Sequence, residues 1–259
     1  MKMRSVVAVS HIGFMCLLLV SIAAEATELN VLSTNGMRAI MEDLGPKFER
    51  ATGHTLAITF ANTGAAVKRI QDGETADVVI ITRQGIDSFV KDGKAAASTV
   101  TDVARDGIGV AVRKGAPKPD ISTPDALKRT LLAAKSITYS NPALGAHSAI
   151  HVAKVLERLG IANEMQAKTV FPTPPGTVGE VVANGEAEIG VWPFQLLLPV
   201  AGIEIVGPLP GDLQDTSVIS AAIMGGTKNA EAAKALVDFL RTPAAAAVIK
   251  AKGMEPVAP

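Results

Sequence analysis

Residues 28–60 read ELNVLSTNGMRAIMEDLGPKFERATGHTLAITF, and this stretch decides the fold. The apolar segment Leu29–Leu32 predicts a strand, and Leu56–Phe60 predicts a second one. Between them, Met37–Thr52 has the spacing of an amphipathic helix that ends at Gly53. Strand, helix and strand at this spacing indicate a right-handed βαβ unit on a parallel sheet.

The same alternation continues along the chain, and a second α/β set begins at Ser136. Loops rich in Pro and Gly at 113–119 and 207–211 are the places where we expect the chain to pass between domains. The sequence thus predicts an α/β protein with two lobes, each a central sheet flanked by helices, and a ligand cleft between them. Residues 27–110 with 212–259 are expected to form lobe 1, and residues 111–211 lobe 2.

Composition excludes several classes of protein. The 259 residues carry 25 basic and 25 acidic side chains, so there is no basic surface for nucleic acid. One cysteine and four histidines argue against a disulfide and against a metal site, and we expect no cofactor. A G-x-S-x-G elbow, a phosphate loop, a dinucleotide fingerprint and H-E-x-x-H are all absent from the sequence. The chain therefore offers a binding cleft more clearly than a reaction.

The N-terminus predicts export. Lys2 and Arg4 precede the apolar run Val6–Ala24, and Ala24-Glu25-Ala26 has the small residues of a signal-peptidase site. We expect residues 1–26 to be a signal peptide, cleaved near Ala26, and the mature protein to be periplasmic. A membrane anchor is the alternative, but the apolar core Ile12–Ala24 is shorter than the roughly 20 residues of a spanning helix.

Polar residues follow the predicted strands of lobe 1, at the sheet edge where open α/β folds bind ligands. The candidates are Asn35, Gly36, Met37 and Arg38 after the first strand, Asn62, Thr63 and Gly64 after the second, and Arg83 after the third. Free backbone N–H groups at helix N-termini bind anions, and an arginine can bind a carboxylate with two hydrogen bonds. Simple helix capping, a solvated Arg38 and a salt bridge at Arg83 are the alternatives.

Lobe 2 has similar candidates, which are Gly145, Ala146, His147, Ser148, Thr177 and Trp192. His147 lies near a predicted helix N-terminus, where the helix dipole would lower the pKa of the imidazole and keep it neutral. A neutral histidine can act as a base. A surface or capping role for His147, a capping role for Thr177 and a core position for Trp192 stay open.

Three segments carry a family resemblance, namely Leu29–Met41, Phe60–Gly64 and Ile70–Val79, the last matching I-x-x-G-x-x-A-D-V. On these the chain resembles the periplasmic molybdate-binding proteins of ABC transporters and, more broadly, the type II solute-binding proteins. The resemblance implies two α/β lobes that close on an oxyanion held by N–H and hydroxyl groups. Four sites depart from that family's pattern: Gly36 replaces a serine, Asn62–Gly64 replaces a serine-rich loop, Trp192 replaces a tyrosine, and Arg83 is charged.

The resemblance extends to the aconitate isomerases, exported relatives that interconvert cis- and trans-aconitate. It leaves two functions. A receptor that delivers an oxyanion or carboxylate to an ABC permease ranks first, because the fold is mostly used that way. The alternative is an isomerase in which His147 moves the proton and Arg38 and Arg83 hold carboxylates. Either way we expect a small anionic ligand and a monomer, and whether the protein is an enzyme stays open.

Overall fold

The computed structural model describes residues 26–173, 176–215 and 217–257. The predicted signal peptide lies outside these residues except for Ala26. Within the described ranges, no helix is both long enough and apolar enough to cross a membrane.

The described residues form ten strands and ten α-helices. The strands are β1 (Glu28–Thr34), β2 (Thr55–Ala61), β3 (Val78–Thr82), β4 (Thr101–Arg105), β5 (Ile108–Arg113), β6 (Ile137–Thr138), β7 (Ile189–Pro193), β8 (Ile203–Pro208), β9 (Val218–Ile223) and β10 (Glu255–Pro256). The helices are α1 (Arg38–Thr52), α2 (Thr63–Gln71), α3 (Arg83–Lys91), α4 (Pro124–Ala133), α5 (His147–Arg158), α6 (Ala162–Gln166), α7 (Val178–Ala183), α8 (Phe194–Leu197), α9 (Ala230–Phe239) and α10 (Pro243–Ala251).

The strands form two sheets, and each sheet with its helices is called a lobe below. The first lobe has six strands in the order β10-β4-β9-β3-β1-β2, and the second has four in the order β6-β7-β5-β8. In the first, β1 pairs in parallel with β2 and β3, as the βαβ pattern predicted. The two-lobed α/β fold is confirmed.

Each lobe has its own apolar core, built by the expected periodicities. In the first lobe, Leu29 and Val31 of β1 and Ile40, Leu44 and Phe48 of α1 are buried. The last helices pack on this same core through residues that include Leu236 and Ile249. The second lobe buries a separate cluster around β5 and β7. The chain therefore returns to the first lobe at its C-terminal end.

The chain passes between the lobes twice. The first crossover is Asp106–Gly107, between β4 and β5, and the second runs from Leu209 to Ser217, between β8 and β9. Asp106 N donates to Ser217 O across 2.9 Å, which joins the two crossovers side by side. Residues 108–110 pair within the second lobe, through β5, although the sequence division groups them with lobe 1. The domain boundaries near residues 110 and 211 stay predictions.

Candidate functional site

A cavity of about 1060 Å³ lies between the lobes. Its lining includes residues that the sequence singled out in both lobes: Asn35, Gly36, Arg38, Asn62, Thr63, Ala146, His147, Ser148, Thr177 and Trp192. Hydroxyl and amide groups outside that set also line it, among them Thr34, Thr82, Ser140, Asn141, Gln195 and Ser217. The cavity is thus rich in neutral hydrogen-bond donors.

Two long helices start at this cavity without a capping side chain. In the first lobe, Thr34 precedes the 3-10 turn Asn35–Met37 and α1, and its side chain caps neither. In the second lobe, Ala146 precedes α5 and has no side chain that accepts a hydrogen bond. The first N–H groups of a helix lack internal partners and carry a partial positive charge. One such helix start in each lobe therefore suits an anion held between them.

The lobes touch at one rim of the cavity. Asn62 Nδ2 donates to Leu144 O at 2.9 Å, and Gly64 N donates to Gly145 O at 3.3 Å. A Cβ atom on Gly64 would lie 2.8 Å from Gly145 O, too close for any side chain. Neither glycine is among the residues that line the cavity. Gly64 and Gly145, expected to contact the ligand, instead allow the lobes to approach.

Arg83 does not line the cavity, contrary to its expected role as a ligand clamp. It begins α3, and its guanidinium donates to Asp87 one turn later and to Asp102 on β4, both at 2.9 Å. The salt bridge that the sequence left open as an alternative is what the structure shows. The position of Met37 also differs from expectation, because it is fully buried in the core of the first lobe.

Among the residues that the structure describes, Arg38 is the one arginine that lines the cavity. It is exposed, and its guanidinium carbon lies 4.1 Å from the centre of the Phe60 ring. Stacking on an aromatic face holds a guanidinium in place and leaves its N–H groups free for a carboxylate. Arg38 therefore remains the candidate clamp.

His147 is the centre of a hydrogen-bond network with Asp215 and Ser217. Its Nε2 lies 3.1 Å from Asp215 Oδ2 and is hydrogen-bonded to Ser217 Oγ, which also donates to Asp215 Oδ1. The hydrogen bond with Asp215 raises the pKa of His147, against the effect of burial. Hydrogen bonds from His147 and Ser217 hold the pKa of Asp215 below its usual value, although burial opposes them.

The sequence predicted the opposite shift for His147, from the dipole of α5. The prediction was wrong because a carboxylate in contact with the imidazole outweighs a helix dipole that acts within one turn. With Nε2 occupied by Asp215 and Ser217, Nδ1 has no hydrogen-bond partner among the described residues. The imidazole thus has one nitrogen held by the protein and one available to a ligand.

Asp106 is a further acidic group of the cavity, in the first crossover. Its Oδ1 accepts from Gly107 N at 2.8 Å and its Oδ2 from Gln195 Nε2 at 3.0 Å. Burial raises the pKa of Asp106 to about 6, and the charge of Asp215 adds to the rise. A carboxyl group that titrates near neutral pH inside a ligand cavity is typical of functional sites.

Trp192 lines the cavity from the end of β7 and is half-buried. Its Nε1 donates to Ser140 Oγ at 3.0 Å, which fixes the plane of the indole ring. The sequence left Trp192 open between a cleft wall and a core position. The structure makes it a wall of the cavity.

Asp106, Asp215 and Ser217 were not predicted from the sequence. Each lies in a crossover, outside the strand-to-helix turns that held the predicted site residues, and no motif marks them. Only the pairing of the two crossovers brings them beside His147. Among the described residues, no group of three or more His, Cys, Asp or Glu side chains is placed to hold a metal ion.

Comparisons with known proteins agree with this architecture. A family model described as bacterial extracellular solute-binding protein matches residues 29–255. An aconitate isomerase of a Pseudomonas species is 37% identical over 242 residues, which cover 91% of this chain and 90% of that protein. A molybdate-binding protein of Azotobacter vinelandii is 30% identical over 243 residues, which cover 91% of this chain and 92% of that protein.

Solved structures show the same fold. The periplasmic molybdate-binding protein of Azotobacter vinelandii superposes with a TM-score of 0.72 at 22% identity, covering 89% of this chain and 99% of that one. A tungstate-binding protein of Desulfovibrio alaskensis gives a TM-score of 0.69 at 18% identity, covering 90% and 100%.

Proposed function

This chain belongs to the bacterial extracellular solute-binding proteins, and we propose that its cleft binds a small carboxylate anion, aconitate, and interconverts the cis and trans isomers. The observation that carries this proposal is the position of His147. Its imidazole lines the cavity, close to the uncapped start of α5, and is oriented by a buried carboxylate. The similarity to an aconitate isomerase over nearly the whole chain supports the choice of ligand.

The proposed reaction moves one proton along an allylic system. A base removes a proton from the methylene carbon, the double bond migrates, and a proton is returned to the carbon at the other end. Atoms balance without an oxidant or a water molecule, so a single group that accepts and returns the proton suffices. Neutral His147 fits this role through Nδ1, because Asp215 stabilises the imidazolium that forms.

The rest of the cavity is suited to hold and polarise the substrate. Removing a proton beside a carboxylate puts further negative charge on its oxygens. The N–H groups at the start of the 3-10 turn Asn35–Met37, which leads into α1, and at the start of α5 are preorganised donors for that charge. Arg38 adds one fixed positive charge at the cavity wall. With these parts, the cleft stabilises the anionic intermediate more than the substrate.

The second candidate is a receptor that delivers an oxyanion to an ABC permease, the function that ranked first from sequence. The two uncapped helix starts and the many hydroxyl groups favour it, since they suit an oxyanion without any proton transfer. The similarity to a molybdate-binding protein supports it as well. We now rank it second because it gives no role to the His147–Asp215–Ser217 network. Both proposals include export and a monomeric state. Membership in an extracellular family supports export.

Residues 27–259, purified and incubated with trans-aconitate in D₂O, test the proposal. We expect proton NMR to show formation of cis-aconitate, with deuterium at the carbon that receives the proton only to the extent that the His147 imidazolium exchanges with solvent before it returns the proton. His147→Gln should abolish the reaction, whereas His151→Gln, one turn further along α5, should retain it. Absence of turnover together with calorimetric binding of molybdate would favour the receptor instead.

A further inference from the structure

Gln195, on α8 of the second lobe, is buried, and only 4% of its surface is exposed. Its Nε2 donates to Asp106 in the crossover and lies against the first lobe, where a Cβ atom added to Gly36 would be 2.8 Å away. Its Oε1 is buried without a hydrogen-bond partner. An unpaired buried carbonyl is costly, so its presence beside a ligand cavity calls for an explanation.

The orientation of this amide is tied to the charge on Asp106. An ionised carboxylate only accepts hydrogen bonds, so it requires the NH₂ side of Gln195. Because Oδ1 already accepts from Gly107 N, we place the proton on Oδ2, where the O–H would meet that NH₂ group, and two donors cannot share one contact. A half-turn of the amide removes the conflict, because the O–H then donates to Oε1. Protonation thus provides the partner that Oε1 now lacks.

The charged groups around Asp106 decide which state an anion prefers. Asp215 faces it from the second crossover and His147 from α5. Arg38 and Glu42 of α1 and Glu180 of α7 line the same cavity, while α8 contributes no titratable side chain. With Asp106 ionised, the carboxylates that line the cavity outnumber its cations. An anion entering this cavity therefore favours the neutral form of Asp106.

We propose that the Asp106–Gln195 pair makes anion binding in the cleft take up one proton. The proton comes from solvent and converts the Asp106 carboxylate to a carboxylic acid, whose O–H donates to Gln195 Oε1 after the amide turns. The Gln195 NH₂ group then takes the place that Oε1 has in the structure. This inference rests on the part of the proposed function that places an anion in the cleft, and does not depend on turnover.

The consequence is a steep pH dependence of affinity. Because the pKa of Asp106 is raised to about 6, its carboxyl group is mainly ionised above neutral pH when no anion is bound. Each further pH unit then weakens apparent binding by about tenfold, because a proton must be supplied with the anion.

Calorimetry in two buffers of different ionisation enthalpy measures this proton uptake directly. The probes are tricarballylate, a saturated tricarboxylate that cannot isomerise, and molybdate in parallel. Above pH 7 neither probe titrates, so uptake reports on the protein. We expect Asp106→Asn to take up one proton fewer than the wild type and to bind at least tenfold more tightly at pH 8, since its amide donates to Gln195 Oε1 without a proton.

Two further variants isolate the pair. Gln195→Leu should flatten the pH dependence of affinity, because no amide oxygen remains to accept the O–H of protonated Asp106. Asp102→Asn, in β4 and paired with Arg83 outside the cavity, should leave proton uptake unchanged. His147→Gln, which removes any uptake by the imidazole, should keep the difference between wild type and Asp106→Asn.

The outcomes separate this inference from the isomerase. Proton uptake that is unchanged in Asp106→Asn, weaker binding by that variant at pH 8, or failure of both anions to bind would each overturn the inference. Uptake as expected with no turnover of aconitate would overturn the isomerase alone. Turnover of aconitate without the expected proton uptake would overturn this inference and leave the isomerase in place.

Discussion

Gly64 and Gly145 join the two lobes through a backbone hydrogen bond of 3.3 Å at the rim of the cavity. The contact is possible because neither residue has a side chain, and Gly145 also has a positive φ of 73° that favours glycine. Together with Asn62 and Leu144, it holds the lobes against each other beside the candidate ligand. Closure of the cleft therefore depends on small residues that are not among those lining the cavity.

A side chain at position 64 should weaken ligand binding. In Gly64→Val, the new Cβ meets Gly145 O at 2.8 Å, so the lobes cannot approach as closely. We expect a five- to thirtyfold loss of anion affinity, about 1–2 kcal/mol, measured by calorimetry. Ala65→Val, at an exposed position of the same helix, is the control for helix propensity. Equal affinities of the two variants would contradict the proposed contact.

The His147–Asp215 pair should stabilise the fold over a defined pH range. The pKa of Asp215 is lowered, so its contribution is present above the usual aspartate pKa and lost as pH falls through the folded-state value. The pKa of His147 is raised, so its contribution is complete below the usual histidine pKa and lost as pH rises through the folded-state value. The contribution is therefore largest near pH 5.

Thermal unfolding of Asp215→Asn at several pH values measures this contribution. We expect the variant to be less stable than the wild type by about 1.5–3 kcal/mol at pH 5, the scale of a hydrogen bond to a charged group. The difference should shrink as pH rises above 7. Asp212→Asn, which loses an exposed ion pair with Arg158, should show no such trend. A constant difference across the pH range would argue against the pair.

Two arginines of the first lobe should differ sharply in their effect on binding. Arg38→Gln removes the guanidinium at the cavity wall and should weaken carboxylate binding about tenfold or more. Arg83→Gln breaks ion pairs with Asp87 and Asp102 outside the cavity and should change affinity less than twofold. The comparison is made by titrating each variant with tricarballylate. A larger effect at Arg83 would return it to the site.

Ligand binding should change the fluorescence of Trp192, the one tryptophan of the chain. The ring lines the cavity and is half-buried, so an anion and the approach of the first lobe would alter its surroundings. We expect a saturable change in emission that gives the same dissociation constant as calorimetry. Ser140→Ala, which removes the hydrogen bond to Nε1, should shift the starting spectrum. Emission that stays constant at saturating ligand would place the ring outside the site.

The sequence by itself determined the elements and the edge where ligands bind. Apolar spacing in Leu29–Phe60 predicted β1, α1 and β2 with boundaries within a few residues of those observed. Because ligands of such sheets lie beyond the strand ends, the sequence predicted that Asn35, Asn62 and His147 face one cleft, and all three line the cavity. These features follow from local periodicity and chain topology, which a sequence carries in full.

Tertiary structure alone decided the charges of that cleft. Arg83 and Arg38 both follow strands, but only the folded chain shows that Arg83 pairs with Asp102 of β4 and does not line the cavity. Asp106 and Ser217 are 111 positions apart and become neighbours because two crossovers pair side by side. The pKa of an ionisable group depends on the charges and the burial that long-range packing imposes. No local sequence pattern identifies those neighbours, so the direction of each pKa shift in the cleft can be inferred only from the folded chain.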